Sequence, residues 1–301
     1  MRMHWLLFAW ACSCVAACER SSAEGNTSRN AGVGPSSRVS ATRIVSVGSA
    51  VTEAVYALGA GDLVAGVDTS SAFPEAASKL PQVGYQRALA AEGILALGPT
   101  IVLASAEAGP PSVLDQLRSA GVKLEIVPND PSVSGARARI LRVAEVLGRD
   151  PSKVVMQLDA DLERAGALSA RVKSRPKVLV LYARGAKTLH VFGKDTAAEL
   201  MVRLAGGENA VTAFEGTKPL TGEALLQAAP EWIVVPTRGL ESLGGLNALL
   251  EVPGIAATPA GKAKRIVAID DLLLLGFGPR TGQGVIELCQ KIHPELGQEE
   301  K

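Results

Sequence analysis

Two stretches of this chain, one in each half, follow the same plan. Glu92-Gly93-Ile94-Leu95-Ala96-Leu97-Gly98-Pro99 leads into Ile101-Val102-Leu103, and Glu223-Ala224-Leu225-Leu226-Gln227-Ala228-Ala229-Pro230 leads into Ile233-Val234-Val235. In each, a glutamate opens a short apolar helix. A proline, which cannot donate the next helical hydrogen bond, ends it before a buried strand. A unit that recurs once per half points to two similar lobes.

The surrounding pattern fills in both lobes. Ile44 to Val47, Leu63 to Val67, Ile101 to Ala104 and Leu124 to Val127 read as short apolar strands. A helix follows the first of them, with Val51, Val55 and Leu58 on one face and Gly59 as its stop. A second series holds strands at Val178 to Leu181, Ile233 to Val235 and Ile266 to Ile269, with a helix over Thr196 to Leu204. Alternating strand and helix argues for parallel sheet with right-handed crossovers. Between the series, Asp150 is suited to N-cap a helix with Pro151 at its first position, and the helical pattern runs to about Val172. A helix of that length spans about 33 Å. The expected fold is α/β: two similar lobes with parallel-sheet cores, joined by one long backbone helix, with a ligand cleft between them.

Lys+Arg 31 against Asp+Glu 30 leaves a net charge of +1, so the chain lacks the basic surplus of a nucleic-acid binder. The first eighteen residues read as a leader and not as fold. Trp5 to Ala17 is apolar but too short to span a bilayer comfortably, which fits a signal-peptide core. Val15-Ala16-Ala17-Cys18 resembles a lipobox, with Cys18 as the lipidated residue; plain cleavage nearby is the rival reading. Cys12 and Cys14 leave with the leader, so Cys289 remains alone in the body and no disulfide is expected. Ser21 to Ser40, rich in Ser, Gly and Asn, reads as a tether. The organisation expected is a signal peptide and lipobox over 1–18, a tether over 19–42, a first lobe over 43–149, a connecting helix over 150–174 and a second lobe over 175–301.

Ligands of open parallel sheets sit beyond the carboxyl ends of the strands. That places Ser49, the loop holding Tyr85, Ser105 to Glu107, the turn at Arg184, and Arg238 around one shared cleft. The segments RIVSVGSAVTEAVYALG, QVGYQRALAAEGILALGPTIVLAS, GKDTAAELMVRLAGGENAV, VVPTRGLESLGGL and GFGPRTGQGVIEL resemble the periplasmic haem-binding proteins of ABC importers. These belong to the wider class that also holds cobalamin and ferric-siderophore binders. The likeness covers nearly all of Arg43 to Pro294.

The resemblance implies that Tyr85, in its GYQR segment, is an axial ligand to ferric iron. A phenolate is a hard, anionic donor suited to a hard ferric ion. A free phenol ionises only near pH 10, so a neighbouring cation is wanted. Arg87, two residues on, would share a side with Tyr85 if the segment is extended. Arg87, Arg184 and Arg238 are the cations available to the phenolate and to the two haem propionates. His190, the one histidine of the body besides His293 at the extreme C-terminus, is either a second iron ligand or a packing or surface residue. Glu92 and Glu223 occupy matching positions of the repeat. In relatives such glutamates dock on the permease, and near a helix N-terminus they also favour the helix dipole.

The implied role is capture of haem as cargo and its delivery to a permease dimer with ATPase subunits. The body would be a periplasmic monomer held to a membrane by its lipid anchor. A ferric-siderophore or cobalamin binder of the same fold is the alternative, but Trp5 and Trp10 leave with the leader and only Trp232 stays in the body. A zinc or manganese site would need several converging histidines and carboxylates. No GxGxxG, Walker, GxSxG or HExxH pattern is completed, so no catalytic residue is assigned and no enzyme is expected.

Overall fold

The computed structural model describes residues 42–297, which form one compact unit. The leader, Cys18 and nearly all of the tether lie outside the described residues. In the first lobe, β1 (Ile44–Val47), β2 (Val64–Val67), β5 (Ile101–Ser105) and β6 (Lys123–Val127) form an all-parallel sheet in the order β2-β1-β5-β6. A separate hairpin is made by β3 (Gly84–Tyr85) and β4 (Ala88–Leu89). In the second lobe, β7 (Lys177–Ala183), β8 (Leu189–Phe192), β10 (Thr217–Pro219), β11 (Trp232–Pro236) and β12 (Ile266–Ile269) run in the order β10-β8-β7-β11-β12. The short β9 (Glu208–Asn209) pairs with the start of β7.

Both sheets are covered on both faces, and the period of two assigns the residues to each cover. Ile44, Ile101 and Leu103 join Val51, Val55, Ile140 and Val143 on one face, while Val45, Val47, Val102 and Ala104 join Ile94 and Leu117 on the other. The second lobe repeats this division. Val178, Val180 and Val234 pack with Met201, Phe277 and Leu288; Leu179, Leu181, Ile233 and Val235 pack with Leu225, Leu249 and Ile255.

The second sheet is not wholly parallel. β7–β11 and β11–β12 are parallel, but β8 runs antiparallel to both β7 and β10. Sequence patterning gave no sign of these two strands because Leu189–Phe192 and Thr217–Pro219 are short, partly polar segments with no long apolar run, and only β10 lies at the sheet edge. The connecting helix also differs from expectation. It covers Ser152–Ser169, with Pro151 at the N-cap instead of the first turn, and so spans about 27 Å. Asp150 still caps it, accepting from the Ser152 backbone N–H at 3.0 Å and from the Ser152 hydroxyl at 2.7 Å.

That helix belongs to both lobes at once. Leu158 is buried in the first core and Ala165 in the second. The C-terminal helix Thr281–Ile292 lies against it, so close that a Cβ on Gly282 would fall 2.6 Å from Cβ of Asp161. Gln283 donates to Asp161 at 3.1 Å across the same contact. Two further links tie the lobes together. Glu53, on the first helix (Ser49–Ala57), accepts from the backbone N–H and guanidinium of Arg280 at 3.0 and 2.9 Å, and that guanidinium stacks 3.4 Å from the Phe73 ring centroid. Arg139, fully buried, donates to the Phe277 carbonyl and to Asn129 Oδ1. Burial pulls the Arg139 guanidinium below its usual range, opposed by the charges of Asp130, Glu53 and Glu107.

Removing one member of a buried ion pair leaves the other charge uncompensated. Glu53→Gln is therefore expected to destabilise the protein by about 3 kcal/mol, read as a fall in the denaturant midpoint at unchanged slope.

Candidate functional site

The carboxyl ends of strands from both sheets meet in one cleft. Its shape depends first on Gly48, which follows β1 with φ 105°; a Cβ there would lie 2.7 Å from the Ser105 side chain. The fully buried Asp68, just after β2, holds this turn. It accepts from Gly48 N–H at 2.8 Å, Ser70 N–H at 2.9 Å and the Ser70 and Ser71 hydroxyls, both at 2.6 Å. Sequence reading passed over Asp68, although an aspartate two residues before a serine at a strand end is an Asx-turn signal.

The hairpin tip divides the cleft. Gln86 and Arg87 form the two-residue turn between β3 and β4, so the segment bends immediately after Tyr85 and is not extended as expected. The consequence is that Tyr85 and Arg87 line different compartments. Backbone bonds from Gly109 N–H to Gln86 O at 2.8 Å and from Leu89 N–H to Gly109 O at 2.9 Å fix the hairpin to the turn after β5.

One compartment, of about 380 Å³, is lined by Thr69, Ser70 and Tyr85 from the first lobe and by Tyr182, Arg184, Arg238 and Asp271 among others from the second. Tyr85 is 38% exposed and lines this compartment. Asp271 accepts from the Arg238 backbone N–H at 3.2 Å. Burial raises the Asp271 carboxyl above its usual range, partly offset by Arg238. Among the described residues, neither Arg184 nor Arg238 has a carboxylate within ion-pair distance.

The neighbouring compartment, also about 380 Å³, is lined by Ser49, Gln86, Arg87, Glu107 and Asn129 from the first lobe and by Phe192, Thr196 and Leu275 from the second, among others. Here Arg87 is paired with Glu107 at 2.6 Å. That hydrogen bond, then the Glu107 charge, raises the Arg87 guanidinium above its usual range, and the Tyr85 phenol adds to the effect.

The structure thus brings Tyr85, Arg184 and Arg238 together and sets Arg87 beside them across the hairpin tip. His190 does not line either compartment. It sits on β8 opposite Tyr182, with ring centroids 6.5 Å apart. Glu92 and Glu223 are exposed in the first turns of the short helices Ala91–Leu95 and Gly222–Ala228, one in each lobe. Trp232 begins β11, at the far end of that strand from Arg238, under the guanidinium of Arg265. No three His, Cys, Asp or Glu side chains among the described residues gather as a metal site, and no described helix is long and apolar enough to cross a membrane.

This two-lobed fold with an interlobe site is that of a binding protein, and the chain belongs to the periplasmic binding protein family, whose model matches residues 44–273. It is similar to the apo structure of the periplasmic heme-binding protein RhuT from Roseiflexus sp. RS-1, with 43% identity, a TM-score of 0.82 and coverage of 85% of this chain and 99% of that one. The periplasmic heme-binding protein BhuT, solved with two hemes, shows 42% identity and a TM-score of 0.79 over 84% of this chain and 98% of its own. The ABC transporter substrate-binding lipoprotein YvrC of Bacillus subtilis is 29% identical over 85% of this chain and 82% of its own length.

Cys289 is buried in the second core, and burial pushes its thiol up to about 11. Since the thiolate is the reactive form, Cys289 should stay unlabelled by iodoacetamide at pH 8 in the native protein and react once guanidinium unfolds it, as read by peptide mass mapping.

Proposed function

We propose that this chain captures ferric haem in the interlobe cleft through Tyr85 and delivers it to an ABC permease, acting as a binding protein and not as an enzyme. The observation that carries this reading is the placing of a partly exposed phenol from the first lobe and two arginines from the second in one compartment, where the two cations face the single carboxylate of Asp271. A phenolate oxygen satisfies ferric iron, and the two guanidinium groups suit the propionates of the same cargo. The similar proteins RhuT and BhuT are named for heme binding, which supports the same cargo here.

A ferric-siderophore or cobalamin cargo is less well served. The aromatic residues around the two compartments are Tyr85, Tyr182 and Phe192, while the tryptophan of the body lies elsewhere. His190 is better read as a packing partner of Tyr182 than as a second ligand, because it is absent from both cavity walls. Exported residence in the periplasm, with lipidation at Cys18 as the anchor, accords with the family and with the lipoprotein YvrC. Glu92 and Glu223 are the charges we assign to permease docking, since both are exposed on equivalent helices of the two lobes.

Ferric haem titrated into the protein is expected to give the charge-transfer band of phenolate-bound iron. Tyr85→Phe should abolish that band and weaken binding by about tenfold or more, the loss of a direct iron bond; an unaltered spectrum would remove Tyr85 as ligand. In a separate uptake assay, the double change Glu92→Arg and Glu223→Arg should leave haem affinity intact and stop transport, because reversed charges oppose docking. Normal uptake by that variant would refute the docking role.

A further inference from the structure

The two compartments differ in charge, and one residue makes them differ. In the Tyr85 compartment, Arg184 and Arg238 face a single carboxylate, Asp271. Next door, the Arg87 charge is met by Glu107 at 2.6 Å. The deeper Arg280 of that side is matched too, by Glu53 at 2.9 Å. The Arg87–Glu107 pair is held in place from both ends. Glu107 donates its backbone N–H to Ser105 Oγ at 3.3 Å, and the hairpin carrying Arg87 is tied to Gly109 two residues further on.

Resting on the haem reading above, we infer that Glu107 is a specificity-determining residue. By cancelling Arg87, it leaves the compartment at the hairpin turn without net charge and confines the attraction for carboxylates to Arg184 and Arg238. The pair is partly exposed in the open cleft, where water screens it and its contribution is small. A bound macrocycle displaces that water, and the remaining charge balance then acts on the cargo at close range. Glu107 thereby orients a planar dianion, sending its acidic edge toward the second lobe and leaving the apolar edge to Phe192, Leu275 and Val51. Arg87 keeps its place beside Tyr85 and is not free to swing to a propionate.

The test compares ferric protoporphyrin, a dicarboxylate, with its dimethyl ester, which has the same ring and iron but no acidic edge. Binding of each is measured by absorbance titration for the wild type, Glu107→Gln, Arg87→Ala and the double variant. Glu107→Gln keeps an acceptor for Arg87 but removes the countercharge, so the preference for the dicarboxylate over the ester should rise by about fivefold. Arg87→Ala leaves a bare carboxylate and should lower that preference by a similar factor. The double variant should return close to the wild-type ratio, because the pair acts as a neutral unit. Glu107→Asp, which retains the charge, should also keep the wild-type ratio.

A ratio unmoved by Glu107→Gln, with haem still bound and the Tyr85 band present, would overturn this inference and leave the haem reading intact. Equal weakening of both porphyrins would also overturn it, since that outcome marks a support for the loop and not a charge selector. A wild type that binds neither porphyrin would bring down the haem reading itself, and this inference with it.

Discussion

The burial of one helix in two hydrophobic cores governs the rest of this molecule. Leu158 and Ala165 lie two turns apart on the connecting helix, yet each is packed in the interior of a different lobe. Neither lobe can turn far about the other without exposing apolar surface, at about 25 cal/mol per Å². The close approach of Gly282 to Asp161 and the clasp of Glu53 on Arg280 add directional contacts to that apolar one. A cleft formed between lobes so joined is largely set before any ligand arrives, which favours affinity through preorganisation.

Within this frame the strand ends supply the chemistry. Gly48, Asp68 and Ser105 come from the first sheet, with the separate hairpin beside them; Arg184, Arg238 and Asp271 follow strands of the second. Each is short of its neighbours in sequence and close to them in space because both sheets deliver their carboxyl ends to the same side. The bonding of Asp68 and of the hairpin to adjacent turns fixes these groups through the backbone, so the positions of Tyr85 and Arg87 do not depend on the rotamers of long side chains alone.

Much of this was legible from residue pattern. The strands β1, β5, β7 and β11 are compact apolar runs buried on both faces, which makes them stand out, while the edge strands β6 and β12 are only partly buried and were marked by their spacing. The arginines at 184 and 238 were found because a strand end is a position that sequence can locate. What pattern could not give depends on the third dimension. β8 and β10 are stabilised by neighbours distant in sequence. The bend at Gln86-Arg87 is stabilised by Gly109, so Tyr85 and Arg87 fell into separate compartments instead of sharing one side of a strand. The pairing of Glu53 with Arg280 joins residues from opposite ends of the body and carries no local signature at all.

The division of the cleft between lobes has a consequence for unloading. The phenol is rooted in a hairpin of the first lobe, whereas Arg184 and Arg238 ride on the second. For a macrocycle suspended from that phenol, any parting of the lobes stretches the guanidinium contacts while sparing the iron–oxygen bond. Under the proposed reading, discharge would be a two-stage event, in which the acidic edge comes loose first and the metal is handed over last.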